Sequence, residues 1–245
     1  MRAPVLCLLL ILASLVVLPI GTLGAREKAD IGRTVTPPTP SASTAAALAD
    51  WKMSFVGSID SHVLKLALGA ASCAMRTGAA RHASTLTVID YSKPSTEKRL
   101  WVFDLQSREL VYEELVAHGQ GSGDNMATRF SNEAETHRTS LGLFVAADTY
   151  VGKNGYSLRL DGLDRGFNDR ARDRAIVMHG APYVSAEFAQ VQGRLGRSWG
   201  CPALGASVAR DVIDRVKGGG LVFAYYPDQN WLAASKYLGG CAAAA

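Results

Sequence analysis

The sequence predicts a mainly β fold, of the sandwich or barrel kind, with a helical segment before it and a helix before its last strand. Short runs rich in β-branched and aromatic residues recur along the chain. Turn residues, many of them glycine, separate these runs, and no internal repeat or heptad pattern is present. The 245 residues, of which 48% are hydrophobic and 20% charged, suffice for a normal core and exclude a wholly disordered or collagen-like chain.

The amino-terminal residues predict export from the cytoplasm. Arg2 is the only charge before Arg26, and the apolar run Val5–Leu18 precedes a proline, a glycine and small residues. This order is typical of a secretory signal peptide, which we assign to residues 1–24. An uncleaved membrane anchor is the alternative. A Pro-, Thr- and Ser-rich linker is expected over residues 25–43, and the rest of the chain is expected in the periplasm or cell envelope.

A helical segment is predicted over residues 44–80. Trp51 and Phe55 are four positions apart in an Ala-rich stretch, which indicates a helix over residues 44–56. Apolar residues at helical spacing predict a second helix over residues 61–77, ended by a glycine at position 78.

The strand-rich domain is assigned to residues 81–230, followed by a tail over residues 231–245. A helix is predicted over Val208–Val216, where three glycines stop it before the last strand. The predicted strands are Leu86–Asp90, Leu100–Leu105, Leu110–Val116, Leu141–Ala146, Tyr156–Leu160, Ala175–Met178 and Leu221–Tyr226.

Charge and cysteine content limit the partners, metal sites and disulfides that the chain is expected to have. A net charge of +4 without a dense basic run gives no support for a nucleic-acid partner. No Cys-x-x-Cys or His-x-x-x-His pair is present, so neither a metal site nor another cofactor is expected. Removal of the leader also removes Cys7 and leaves three cysteines, an odd number for an oxidising compartment. The simplest arrangement is one disulfide and one free thiol.

Two neighbouring stretches combine a histidine and a cysteine in a way that suits nucleophilic catalysis. A predicted strand ends near His179, and Cys201 follows 22 positions later in a Gly/Ser loop. A thiol attacks as the thiolate, and an imidazole beside it lowers the thiol pKa and returns a proton to the leaving group. Flanking glycines admit a substrate and leave N–H groups for an oxyanion. On spacing alone, an inert buried cysteine and a structural histidine fit equally well.

The stretch Ser198-x-Gly200-Cys201, after His179-Gly180, resembles the active-site signature of the murein L,D-transpeptidases. Further segments resemble the subfamily called the murein L,D-transpeptidase catalytic-domain proteins, over about residues 60–226. These segments are Ile89–Ser92, Arg99–Leu105, Val116–Gly119, Phe130–Asn132, Ser140–Phe144, Leu158–Leu163 and Gly193–Ala203.

The resemblance implies a mainly β enzyme that acts on the peptide stems of peptidoglycan. Cys201 would attack the carbonyl before the terminal D-alanine of a tetrapeptide stem, and His179 would act as base and then as acid. The Gly180 carbonyl would hold the imidazole, the N–H groups of Gly200 and Cys201 would form the oxyanion hole, and Ser198 belongs to the signature. An amine acceptor would give a 3→3 cross-link, and water would make the enzyme a carboxypeptidase. Carbapenems are expected to acylate the thiol.

Two positions depart from the family pattern. Trp199 stands where a second histidine is usual, and Ala203 stands where arginine or asparagine is usual, so another cation must meet the substrate carboxylate. The residues expected to contact substrate are Arg197, Arg194, Trp199, Tyr183 and His118. Alternatively, the two arginines are solvated loop charges, His118 lies in a surface turn, and the two aromatic residues pack in the core.

The resemblance together with the odd cysteine count indicates a Cys73–Cys241 pair and a free Cys201. Two rival functions remain open at this stage: a cysteine hydrolase of other cell-wall peptides, and a non-catalytic murein-binding module that keeps the fold.

Overall fold

The computed structural model describes residues 57–239 and 241, which contain four helices and nine strands. The predicted signal peptide, linker and helix over residues 44–56 lie outside the described residues. The helices are α1 (Ser61–Arg76), α2 (Ala186–Gln192), α3 (Ala209–Val216) and α4 (Gln229–Ala234). The strands are β1 (Thr85–Asp90), β2 (Leu100–Asp104), β3 (Glu109–Glu114), β4 (Val116–Ala117), β5 (Gly142–Gly152), β6 (Gly155–Gly162), β7 (Val177–Ala181), β8 (Ala203–Gly205) and β9 (Leu221–Tyr225).

All nine strands belong to one nearly closed, barrel-like sheet, so the predicted mainly β class is confirmed. The strand order is β3-β2-β1-β9-β5-β6-β7-β8-β4. Strands β1 and β9 pair in parallel, as do β7 and β8, and every other pair is antiparallel. A parallel pair needs a crossover connection rather than a tight turn. The crossover from β7 to β8 contains α2 and residues 196–202, the segment called here the Cys201 loop.

Helix α1 covers the sheet at β1 and β9 with an apolar face, as its spacing predicts. Asp60 caps the helix because its carboxylate accepts hydrogen bonds from the N–H groups of His62 (2.8 Å) and Val63 (3.1 Å). The predicted stop is also confirmed, since Gly78 follows the last turn with a φ of 81°. Helix α3, likewise predicted, lies before β9 and contacts β7, β1 and β6.

The structure differs from the sequence expectation at four places. Predicted strand Leu110–Val116 is divided into β3 and β4, and the hairpin of β5 and β6 extends beyond its apolar centre into exposed residues. Strand β7 starts after Ala175, whose φ of 52° lies outside the strand region. It also extends beyond its predicted end at Met178 and so includes His179. Elements β8, α2 and α4 are additional. Helix α4 lies where a tail is expected, and its Trp231 is fully buried.

A disulfide joins Cys73 of α1 to Cys241, with 5.4 Å between their Cα atoms, and Cys201 is a free thiol. The expected pairing is thus confirmed. Across residues 57–239 no helix has both the length and the apolarity required to cross a bilayer. The same residues and Cys241 hold no cluster of three or more histidine, cysteine or acidic side chains arranged for a metal ion.

Candidate active site

The thiol of Cys201 is buried at the start of β7. Its Sγ accepts a hydrogen bond from the Val177 N–H at 3.5 Å and lies 3.7 Å from the Ala175 carbonyl oxygen, to which the S–H donates. Only 8% of the residue is exposed. Burial raises the pKa of the Cys201 thiol, while the Val177 N–H and the charge of Arg174 lower it in part. The resting group is therefore a protonated thiol held in a fixed orientation.

His179 lies within β7, beside the residues that follow Cys201. It pairs with Ala203 in the register of β7 and β8, and its N–H donates to the Pro202 carbonyl at 3.4 Å. The imidazole Nδ1 is 3.0 Å from the carbonyl oxygen of Gly180, the contact predicted from the sequence. A carbonyl only accepts, so Nδ1 carries the proton and Nε2 is left as a base. Burial lowers the pKa of His179, which keeps the ring neutral near pH 7.

Ser198 fixes the shape of the Cys201 loop. Its hydroxyl donates to the Cys201 carbonyl at 2.6 Å and accepts from the Gly200 N–H at 3.2 Å. In this state the Gly200 N–H, which is expected from the sequence to face an oxyanion, donates to the Ser198 hydroxyl instead. Gly200 has a φ of 117°, and a Cβ there would lie 2.9 Å from the Arg138 carbonyl oxygen. Only glycine allows the loop to pass this close to that carbonyl.

His118 does not line a substrate groove, so this expectation is wrong. Its side chain is fully buried, with Nδ1 2.8 Å from Nη2 of Arg99 and Nε2 3.4 Å from the Gly123 carbonyl oxygen. Burial, and then the positive charge of Arg99, lower the pKa of His118 to about 4. The residue instead supports the Cys201 loop, because its carbonyl accepts the Ser198 N–H at 3.0 Å.

The two arginines expected to meet a substrate carboxylate are engaged elsewhere. Arg197 forms an ion pair with Asp124 at 2.8 Å and donates to the Gly123 carbonyl at 2.9 Å. Arg194 donates to the carbonyl of Leu195, its own neighbour, at 2.8 Å. Neither guanidinium is among the charges that act on the Cys201 thiol.

Trp199, next to Gly200 in the Cys201 loop, is 68% exposed, so its side chain is not a core-packing residue. Its ring stacks on His137, with 5.0 Å between centroids and 12° between planes, and Lys153 Nζ lies 5.9 Å from its centroid. Gln120 in turn lies 2.9 Å from His137 Nδ1. Tyr183 is half-buried, and its carbonyl accepts the Gly196 N–H at 2.9 Å. The ring of Trp199 is thus held against His137, and the backbone of Tyr183 is bonded to the Cys201 loop.

A sequence model of the L,D-transpeptidase catalytic domain matches residues 56–225, which is most of the chain and includes Cys201 and His179. The chain belongs to the L,D-transpeptidase catalytic domain family. The resemblance inferred from the signature around Cys201 is thereby confirmed.

Solved structures similar to this L,D-transpeptidase-family chain are distant in sequence. One is an L,D-transpeptidase from Mycobacterium smegmatis, with 16% identity, a TM-score of 0.37 and 59% of each chain covered. Another is LD transpeptidase LdtMt1 in complex with imipenem, with 15% identity, a TM-score of 0.36 and 58% and 59% of the two chains covered. A third is the helical cell shape determining protein Pgp2 from Campylobacter jejuni, with 14% identity, a TM-score of 0.40 and 60% and 48% covered.

The chain thus spans about three fifths of the length of the first two of these structures. No curated protein matches the sequence.

Sequence reasoning missed a cation, Arg174, that acts on the Cys201 thiol. Arg174 lies immediately before Ala175, and it is the charged side chain that lowers the pKa of the Cys201 thiol. Its guanidinium donates to the carbonyls of Ser131 and Arg138, each at 2.7 Å. The sequence holds no signal for this role, because Arg174 is one of several arginines in a polar turn far from Cys201 along the chain.

Proposed function

We propose that this chain is a peptidoglycan L,D-transpeptidase with Cys201 as its nucleophile. The observation that carries the proposal is the free thiol of Cys201 in a Gly/Ser loop, next to a strand whose His179 is held through Nδ1 by a backbone carbonyl. Membership of the L,D-transpeptidase catalytic domain family supports the reaction class. A murein-binding module has no need of an oriented free thiol or of a neutral imidazole on the neighbouring strand.

The proposed acylation is a group transfer from the stem peptide to sulfur. Nε2 of His179 takes the thiol proton as Sγ attacks the carbonyl of the third stem residue. The C–N bond to D-alanine breaks, and the His179 imidazolium gives its proton to the departing amine. The product is a thioester on Cys201 and free D-alanine. An amine of a second stem then attacks the thioester, loses a proton to His179, and releases the thiol with a 3→3 cross-link.

The oxyanion that develops during attack needs hydrogen-bond donors. The Gly200 N–H is shared with the Ser198 hydroxyl in the resting loop. A charged oxygen is a stronger acceptor than a hydroxyl, so we propose that the oxyanion takes over this N–H and adds that of Cys201. Ser198 then keeps its hydrogen bond to the Cys201 carbonyl and holds the loop in place.

The stack of Trp199 on His137 is the proposed contact surface for the stem or its sugar. An exposed indole gives a large apolar face at low cost in conformational entropy, and the hydrogen bond between Gln120 and His137 fixes the ring beneath it. Tyr183, whose side chain lies against Gly196 at the start of the Cys201 loop, is proposed as a second substrate contact. With Arg194 and Arg197 engaged elsewhere, Lys153 beside Trp199 is the proposed partner of a stem carboxylate.

We also propose that the chain works outside the cytoplasm. The support is the apolar leader sequence before Pro19 and the linker that follows it. The Cys73–Cys241 disulfide fits an oxidising compartment.

The first experiment is intact mass measurement after incubation with a carbapenem, on the chain and on the Cys201→Ala variant. An adduct on the parent chain alone is expected, because acylation needs the Cys201 thiol. Absence of an adduct on folded protein with a titratable thiol would shift the interpretation to a binding module, which pull-down with purified sacculi would then detect.

A second experiment separates transferase from hydrolase. Purified tetrapeptide muropeptides are incubated with the chain, and the products are resolved by chromatography and mass. A 3→3 dimer with one equivalent of D-alanine supports the transpeptidase. Tripeptide and D-alanine alone indicate an L,D-carboxypeptidase, and cleavage at another bond indicates a different cysteine hydrolase.

A further inference from the structure

Arg174 is a half-buried cation whose hydrogen bonds all go to neutral groups. Nη1 donates to the Ser131 carbonyl at 2.7 Å and to the Ser140 hydroxyl, and Nη2 donates to the Arg138 carbonyl at 2.7 Å. Within the described residues no carboxylate forms an ion pair with it. Glu133, which lies in the same region, pairs with Arg170 instead, at 2.7 Å. A partly buried charge without an ion-pair partner is costly to desolvate, and an anion nearby would offset that cost.

The guanidinium lies one carbonyl away from the Cys201 loop. The Arg138 oxygen that accepts from Nη2 is the same atom that a Cβ on Gly200 would approach to 2.9 Å. On the other side, the residue after Arg174 presents its carbonyl oxygen to Cys201 Sγ at 3.7 Å. Ala175 does so with a φ of 52°, a left-handed conformation that costs an alanine strain energy.

We propose that Arg174 is a positioning residue for the reaction: its fixed positive charge stabilises the thiolate of Cys201, and its side chain holds Arg138 and the turn at Ala175 against the Cys201 loop. This inference rests on the proposed role of Cys201 as nucleophile. The role differs from that of Lys153, which is proposed to meet a stem carboxylate rather than the thiolate.

The electrostatics of the site agree with this geometry. Burial raises the pKa of the thiol, which alone would leave little thiolate at neutral pH. Arg174 is the charge that opposes this effect, and after burial the Cys201 thiolate is the largest influence on the pKa of Arg174. Each group is therefore the other's principal charge partner. The two arginines expected from the sequence have no such relation to the thiol.

The test is the pH dependence of alkylation of Cys201 by iodoacetamide. The rate is followed by mass spectrometry of the tryptic peptide Ser198–Arg210, so other thiols do not interfere. Arg174→Gln and Arg174→Met are expected to move the midpoint to higher pH and to slow alkylation at pH 7 about three- to tenfold, with the same plateau at high pH. Arg174→Lys keeps the charge and is expected to restore most of the rate. Arg170→Gln is the matched control and is expected to leave the midpoint unchanged.

The proposal would be overturned if all of these variants had the same pH midpoint of alkylation as the parent chain. It would also be overturned if Arg174→Lys slowed alkylation as much as Arg174→Gln does. If the neutral variants do not fold, the parent chain itself provides the test. A cation beside the thiol makes anionic iodoacetate react faster, relative to neutral iodoacetamide, than it does with free cysteine at low salt. A ratio at or below that of free cysteine would contradict the proposal.

The outcome is separable from that of the proposed function. D-alanine release from tetrapeptide muropeptides, measured on the parent chain, tests the reaction. The thiol midpoint tests Arg174 whether or not the reaction occurs.

Discussion

Two regions of the molecule are held together in different ways. Strands β1, β2 and β9, under helix α1, are built from buried apolar side chains in regular registers, and their order comes from packing. The Cys201 loop consists mainly of small and polar residues, and it is held by hydrogen bonds to the backbone of His118 and Gln120 and by its own Ser198. Separate hydrogen bonds fix its backbone, and the loss of one of them is expected to leave the others in place.

The difference indicates that stability and chemistry are carried by separate sets of residues. A truncation under α1 removes apolar contacts that nothing replaces, whereas a change in the Cys201 loop removes one reacting or orienting group. Substitutions in the Cys201 loop are therefore expected to lower activity with little effect on the free energy of unfolding. Substitutions on the buried face of α1 are expected to lower the free energy of unfolding with little effect on the activity of the folded protein.

The sharpest separation is expected for Cys201→Ala. Loss of the proposed nucleophile is expected to lower D-alanine release about 10⁴-fold or more, while the free energy of unfolding changes by about 1 kcal/mol or less. Activity is measured on tetrapeptide muropeptides, and unfolding by urea titration. A destabilisation as large as that of a core truncation would show that the loop is part of the core.

The opposite behaviour is expected for Leu64→Ala in α1. Leu64 is fully buried, so its truncation is expected to cost about 2–5 kcal/mol of stability. The activity of the folded fraction is expected to stay the same. Val151→Ala is the control, an apolar truncation at a residue that is 80% exposed, with an expected change below about 0.5 kcal/mol. Equal effects at the two sites would break the comparison.

His118 connects the two regions and predicts a pH dependence. The unfolded imidazole titrates near pH 6.5 and the buried one near pH 4, so between these values the unfolded state binds a proton that the native state does not. Stability is therefore complete above pH 6.5 and falls by about 3 kcal/mol as the pH is lowered to about 4. In His118→Asn, whose amide oxygen replaces Nδ1 as acceptor for Arg99, urea unfolding is expected to show a shallower decline. An unchanged slope would contradict this account.

The smallest effect is expected at the start of α1. Asp60→Ala removes the cap of two N–H groups and is expected to cost about 1 kcal/mol of stability, with no change in thiol reactivity. Asp60→Asn keeps a capping oxygen and is the matched control. A change in the alkylation rate of Cys201 in Asp60→Ala would show that the helix and the site are coupled.

The parts of the fold that sequence reasoning predicts are those with a strong local pattern. Helix α1 has apolar residues at helical spacing and a glycine stop, and β1, β2 and β9 are short buried runs. Strand β8 is three residues long, and the exposed half of the β5–β6 hairpin has no apolar alternation. These segments form strands because they pair with neighbouring strands, and the amino-acid sequence does not show which strands will pair.

The same distinction applies to the site. Cys201, His179 and the Gly180 contact are implied by the resemblance to the family signature, whose residues stand in two short stretches of the sequence. The burial of His118 and the position of Arg174 depend on which loops the fold brings together. The ion pair of Arg197 with Asp124 likewise joins segments that are far apart in the chain.

The exposure of Trp199 has a practical consequence for spectroscopy. Trp101 and Trp231 are fully buried, so among the described tryptophans Trp199 alone meets solvent, two positions from the thiol. Its fluorescence is expected to be quenched by added iodide. A ligand that settles on the indole would shield it and shift its emission to shorter wavelength. The protein thus has a built-in optical reporter for events beside Cys201, without any attached dye.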